Sequence, residues 1–303
     1  MTDLINALVL LSNFVLIPAI TYGSQLALGA LGITIIYGIL RFANFAYGDL
    51  MAFATTFTIL FTWYFQSIGI SFGVLPTALL AIPFAIIVTI IFCLITDKLV
   101  FGYYRIKKSP SVTIAMVSLG VMFVTNAIVR IIIGPYDRRF ADGERFIIRA
   151  NEFKEMTGLN EGLAIKSTQV LTIVITIIVV SLLFWFLNKT KTGKSMRAYS
   201  DNEDLALLSG ISPARVVMIT WIIVAILATF AGSLYGLDKS FKPFTYFSLL
   251  LPIFASAIVG GIGNPVGALV GGYVIAFSEI IITYAYKKFF AYLLPESLEP
   301  NTL

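Results

Sequence analysis

A succession of apolar runs, each about as long as a bilayer is thick, limits this chain more than anything else in it. The hydrocarbon core of a membrane takes roughly 20 residues of apolar helix. Inside it every backbone polar group must be satisfied internally, so such runs are read as spanning helices. They fall at residues 4–20, 22–40, 49–65, 73–100, 112–133, 167–187, 216–237, 246–262 and 266–284. Asn13 and Pro18 interrupt the first, and the second is rich in Gly and Ala. Pro243, Pro252 and the break at 260–265 allow one of the last segments to be a re-entrant pair of half-helices. The expectation is an all-α, polytopic integral membrane protein with about eight or nine transmembrane or re-entrant helices, one membrane-embedded domain over residues 1–303.

Composition agrees and excludes several chemistries. Only 12% of the 303 residues are charged, against about 25% in ordinary soluble domains. The net charge of +5 does not suggest nucleic acid, because the Lys and Arg residues sit mainly in short loops. The chain has no His, the commonest general base and metal ligand, and a single Cys, Cys93, inside an apolar run. It contains no Gly-x-x-x-x-Gly-Lys-Ser/Thr phosphate loop, no His-Glu-x-x-His zinc motif and no Gly-x-Ser-x-Gly elbow. Catalysis by this chain, binding of a metal or a cofactor, and a cleaved secretory signal are therefore not expected.

Orientation comes from the basic loops. Lys98, Arg105, Lys107 and Lys108 form one cluster, and Lys189, Lys191, Lys194, Arg197 and Arg215 another. Both are expected on the cytoplasmic side, since positive residues concentrate there. The mixed-charge loop 134–166 then lies outside, and counting backward over the expected spans puts the N-terminus inside. The C-terminal side stays open.

Three stretches carry the candidate chemistry. In the first, Arg41, Asn44, Phe45 and Tyr47, followed by Asp49, lie within or beside apolar spans. Polar groups there cost free energy unless they find a partner, so they face either the bundle interior or the interface. Arg41 either snorkels while Asn44 caps a helix break, or both line a pathway. In the second, Gly263, Gly267 and Gly271 recur every four residues, a stripe that permits close helix approach. Packing within this chain is the leading reading and a subunit interface the other. Glu279, further along, is a buried hydrogen-bond partner or an interfacial residue.

The third, the loop at about 188–215, carries helix punctuation of its own. Ser200 or Asp201 is the expected cap, Glu203 and Asp204 suit the first turn, and Gly210 suits the stop. Ser212 and Pro213 open the next helix. Leu205, Leu208 and Ile211 recur at helical spacing, so a short amphipathic helix is expected to dock in a groove on a cytoplasmic partner.

At these three stretches the sequence resembles the permease subunits of branched-chain amino-acid ABC importers, the LivH type. An early signature stands here as Ala27-Leu-Gly-Ala-Leu-Gly32, Ile36-Tyr37-Gly38 and Arg41-Phe-Ala-Asn-Phe-Ala-Tyr-Gly48, with Tyr47 where the family usually has His. The cytoplasmic loop matches at Thr190, Gly193, Arg197, Ala198, Ala206, Leu208, Gly210 and Ile211, and a late glycine run at 260–272. The likeness covers roughly residues 20–285. It implies a multi-pass protein of the bacterial inner membrane that works with a second permease (LivM-like or a copy). It further implies two ATPase subunits that bind ATP and Mg, and a periplasmic binding protein. On this resemblance Gly193, Arg197, Ala198, Ala206, Leu208, Gly210 and Ile211 form the ATPase contact, with Arg197 donating to an acidic group or anchoring the loop at the membrane surface. Arg41, Asn44, Phe45 and Tyr47 are the pathway candidates. The same architecture serving urea or short amides is one rival, and a stand-alone ion-coupled transporter is another.

Overall fold

The computed structural model describes residues 2–73, 75–140, 146–158 and 162–293. It is almost entirely helical. Helix α1 (Thr2–Leu11) passes through a π-helical segment (Ser12–Leu16) into α2 (Ile17–Leu40). Then follow α3 (Tyr47–Ser67) and α4 (Ala78–Thr96), which continues through a second π segment (Asp97–Phe101) into α5 (Gly102–Ile106). Helix α6 (Ser111–Ile133) leads into the segment carrying β1 (Phe146–Ile148), α7 (Ala150–Thr157) and β2 (Ile165–Lys166), with β1 and β2 antiparallel. Next come α8 (Ser167–Lys189), α9 (Lys191–Asp201), α10 (Glu203–Leu208), α11 (Pro213–Asp238), α12 (Pro243–Val259) and α13 (Pro265–Leu293).

Six stretches among the described residues are long and apolar enough to cross a membrane: Ser12–Leu40, Ala78–Ile106, Ser111–Ile133, Ser167–Lys189, Pro213–Asp238 and Pro265–Tyr284. Helix α3 and the shorter α12 also run between the two ends of the bundle, so eight segments cross it. The expected first two spans are one. Nothing between Ile20 and Tyr22 stops a helix, and the π segment just ahead of Pro18 absorbs the missing amide without a turn.

That merger changes the topology. Asn13 Oδ1 accepts a hydrogen bond from the Ala164 amide (3.3 Å), and Phe14 stacks on Tyr284 (6.3 Å). The start of the chain therefore lies at the β1–β2 end of the bundle, opposite α9 and α10. The expectation that it shares a side with the basic loops is corrected. At the same β1–β2 end, Arg138 and Phe241 exchange backbone hydrogen bonds (2.9 and 2.8 Å), and Lys242 pairs with Asp137 (3.6 Å). The turn between α12 and α13 lies instead beside Gly38 and Ser200. Helix α12 thus crosses the bundle and is not half of a re-entrant pair.

Helix α2 is the centre. Of its apolar window 89% is buried, against 28% for α6, and α8, α11, α12 and α13 all pack on it. Its small residues make this possible: a Cβ at Gly32 would overlap the Tyr47 hydroxyl, and one at Gly29 would meet Ile253. Helix α3 is the second buried rod. Its hydroxyls at Thr55, Thr56, Thr58 and Thr62 donate to carbonyls four residues back, so they are satisfied without water.

The glycine stripe resolves into packing within the chain. Gly267 lies against the Gly260 carbonyl and Gly271 against that of Ser256, where any Cβ would collide, so α13 and α12 touch backbone to backbone. Gly263 is not part of that contact. It sits in the turn before α13 with φ of 88°, and its Cβ position is open.

Candidate functional site

The basic end of the bundle carries a platform of two helices rather than one. Thr190 caps α9 by accepting from the Gly193 amide (3.0 Å). Helix α9 ends at Asp201, and α10 is capped by Asn202, whose Oδ1 accepts from the Leu205 amide (3.0 Å). The cap expected at Ser200 or Asp201 is therefore corrected to Asn202. Asn202 has extended backbone angles, which bend the chain between the helices. Tyr199 donates across that bend to Glu203 Oε1 (2.5 Å), and burial together with this bond raises the Tyr199 hydroxyl pKa above its ordinary value. Gly210 is the stop: its φ is 81°, its amide bonds to Leu207 O (3.0 Å) and the Ile211 amide to Ala206 O (3.1 Å). Pro213 opens α11 as expected.

The platform residues divide by burial. Ala206 points inward, and Gly193 is buried where a Cβ would lie 2.3 Å from Phe186 O and 2.6 Å from Leu187 Cα. Those two hold the platform together, so the expectation that they touch a partner is corrected. Arg197, Ala198 and Gly210 are exposed, and Ile211 is half-buried. Leu205, Leu207 and Leu208 are 61%, 42% and 86% exposed. Leu208 is the most exposed of them, and Leu207 joins a patch that helical spacing alone had drawn without it.

A contact that sequence reasoning missed fastens the platform to α2. Ser200 Oγ donates to the Gly38 carbonyl (2.9 Å), and Arg41 Nη2 donates to the Ser200 carbonyl. Arg41 is the left-handed cap of α2, with φ of 57° and its amide on Tyr37 O. It is exposed and engaged with α9. No pattern at positions 41 and 200 foretells this pairing, because it joins groups 159 residues apart.

After Arg41 the chain breaks and α3 begins. Asn44 is buried and its Oδ1 accepts from the Ala46 amide (3.0 Å), capping the break as one of its two readings held. The Phe45 amide donates to Ser118 Oγ (3.0 Å) and its ring packs on Phe254 (5.5 Å). Tyr47 is fully buried against Gly32 and its hydroxyl has no hydrogen-bond partner among the described residues. The structure brings these residues together as packing around a break.

Two further polar knots went unread. Asn126 Nδ2 donates to Asp49 Oδ1 (2.6 Å). Asp97 is held by both guanidinium nitrogens of Arg105 (3.0 and 2.9 Å) and by Trp221 Nε1 (2.7 Å). The only signal for either was a carboxylate within or next to an apolar run. Glu279 is exposed at the β1–β2 end, in keeping with its interfacial reading.

Comparison with known proteins gives this geometry a family. The family described as "Branched-chain amino acid transport system / permease component" matches residues 15–295. The "Probable branched-chain amino acid transport permease protein LivH" of Methanocaldococcus jannaschii is 32% identical over 280 residues, covering 90% of this chain and 81% of the relative. The "High-affinity branched-chain amino acid transport system permease protein LivH" of Escherichia coli K12 is 25% identical over 86% of this chain and 83% of its own length. The corresponding BraD protein of Pseudomonas aeruginosa is 27% identical over 87% and 84%. No solved structure matches. The chain belongs to this permease family.

Proposed function

We propose that this member of the branched-chain amino acid transport permease family is one of two permease subunits of an ATP-driven importer in the bacterial inner membrane. It moves branched-chain amino acids inward after a periplasmic binding protein delivers them. The second permease is a LivM-like relative or a copy, ATP and Mg are bound by two partner ATPase subunits, and this chain is itself non-catalytic. The names of the relatives support the cargo.

The observation that carries the reading is the leucine tip of α10. Three leucines stand in the open on α10, directly after α9, which carries the exposed cations Lys191, Lys194 and Arg197. Large apolar groups exposed within a polar rim mark an interaction surface. A short helix bearing them suits a groove on a partner. Because α9 is tied to Gly38 and Arg41, a push on α10 passes into α2, the central helix, and so to the packing of the whole bundle.

Reconstitution tests the reading. With ATPase partners, second permease and binding protein in proteoliposomes, uptake of L-leucine requires ATP and stops without the ATPases. Leucine uptake by this chain alone, driven by a proton or sodium gradient, would replace the importer with an ion-coupled transporter.

A further inference from the structure

At the β1–β2 end, opposite the platform, an open cavity of about 350 Å³ lies between the first half of α2, the start of α8, the end of α11 and α13. That is near the lower bound of small-molecule sites, about 300–1,000 Å³. Its walls carry two cations and two anions, Lys166, Lys239, Asp238 and Glu279, together with apolar surface from Pro18 and Ile280. Asp238 is the informative member. Its side chain is only 8% exposed, and its Oδ1 is buried without a hydrogen bond among the described residues, the Lys166 ammonium standing 3.9 Å away. A buried carboxylate oxygen with no donor is costly and rare, and calls for a missing donor.

From this we infer that the cavity binds a zwitterionic α-amino acid at the mouth of the permease, an inference that rests on the importer reading for its place in transport. The Asp238 carboxylate turns toward the cavity to accept from the ammonium group, which is shared with Glu279. The carboxylate is held by Lys239, and an aliphatic side chain lies on Pro18 and Ile280. The paired charges select for a ligand carrying both signs. A simple amine would leave Lys239 without its counter-ion, and a simple acid would face Asp238 and Glu279 as a like charge.

The test is equilibrium binding of radiolabelled L-leucine to the assembled permease–ATPase complex in nanodiscs, without the binding protein. Competitors are isoamylamine, which lacks the carboxylate, and 4-methylpentanoate, which lacks the amine. Leucine is expected to bind, neither analogue to compete at equal concentration, and Asp238→Asn to weaken binding about tenfold. Glu279→Gln, at an exposed position where folding is not at stake, is expected to weaken it as well. Absence of leucine binding, binding unchanged in both variants, or an analogue that competes as well as leucine would each overturn the inference. ATP-driven uptake is measured on the same preparation. Its absence in the wild type would sink the importer reading, whereas active uptake with binding indifferent to both substitutions would sink this site alone.

Discussion

Gly193 and Gly120 are both helical glycines in the same protein, and their surroundings set them apart. A Cβ at Gly193 would run into the backbone of Phe186 and Leu187, which cannot swing aside, while one at Gly120 meets nothing within 4 Å. Gly193→Ala should therefore push α9 off α8 and cost about 1–3 kcal/mol, the usual range for overpacking. Gly120→Ala should be neutral or gain up to ~1 kcal/mol in helix propensity. Thermal midpoints in detergent, lower for the first and equal or higher for the second, check both. Gly210 is a third kind: its Cβ site is open but its φ is 81°. Only the backbone objects there, at roughly 1–2 kcal/mol for a side-chain-bearing residue in the left-handed region. ATP-driven uptake should fall in the order Gly210, Gly210→Asn, Gly210→Val, with the amount of protein in the membrane unchanged. Tyr199 supplies a pH prediction. Its pKa is raised in the fold, so its neutral form is the one the fold favours, and its contribution is complete below the unfolded value of about 10. The stability difference between wild type and Tyr199→Phe should be flat from pH 7 to 9 and shrink only above pH 10.

At the scale of elements, the sequence was legible wherever local chemistry decides and illegible where a distant group does. Gly210 and Pro213 punctuate α10 and α11 by their own backbone limits, so both were read correctly. The cap of α10 was not, because Ser200, Asp201 and Asn202 are three capping residues in a row and local rules do not choose among them. The choice falls to Gly38, which takes the Ser200 hydroxyl and leaves Asn202 free to cap. Gly263 shares the four-residue spacing of Gly267 and Gly271, yet α13 starts only at Pro265, so the spacing counted a turn residue as helix. The π segment at Asp97–Phe101 belongs to the same class. It lies where Asp97 meets Arg105 and Trp221, stapling the α4–α5 rod to α11. Trp221→Phe keeps the ring stacked on Phe101 and removes one donor from Asp97. Denaturation should show a loss of about 1–3 kcal/mol, the cost of leaving a largely buried polar group short of a partner.

For the whole molecule, hydropathy located what crosses the membrane and said little about what lies at the centre. Helix α3 is less apolar than its neighbours, since threonines facing other helices replace side chains that would face lipid, yet it is far more buried than α6. Among the candidate pathway residues 41–47, Arg41 and Phe45 meet partners at 118, 200 and 254 that no spacing reveals. The side of the N-terminus was misread because the runs 4–20 and 22–40 were counted as two spans where one helix passes through, and one span too many inverts everything before it. This topology is testable with single cysteines, Cys93 being buried. Ile5→Cys and Glu155→Cys should react with a membrane-impermeant maleimide from one face, and Ser209→Cys only from the other. The central claim, that force enters through the tip of α10 and reaches α2 through Ser200, is tested most directly by Leu208→Asp in the reconstituted complex. The account predicts that leucine uptake collapses while the ATPase subunits keep their basal hydrolysis and the permease stays folded in the membrane. Uptake at the wild-type rate in that variant would contradict it.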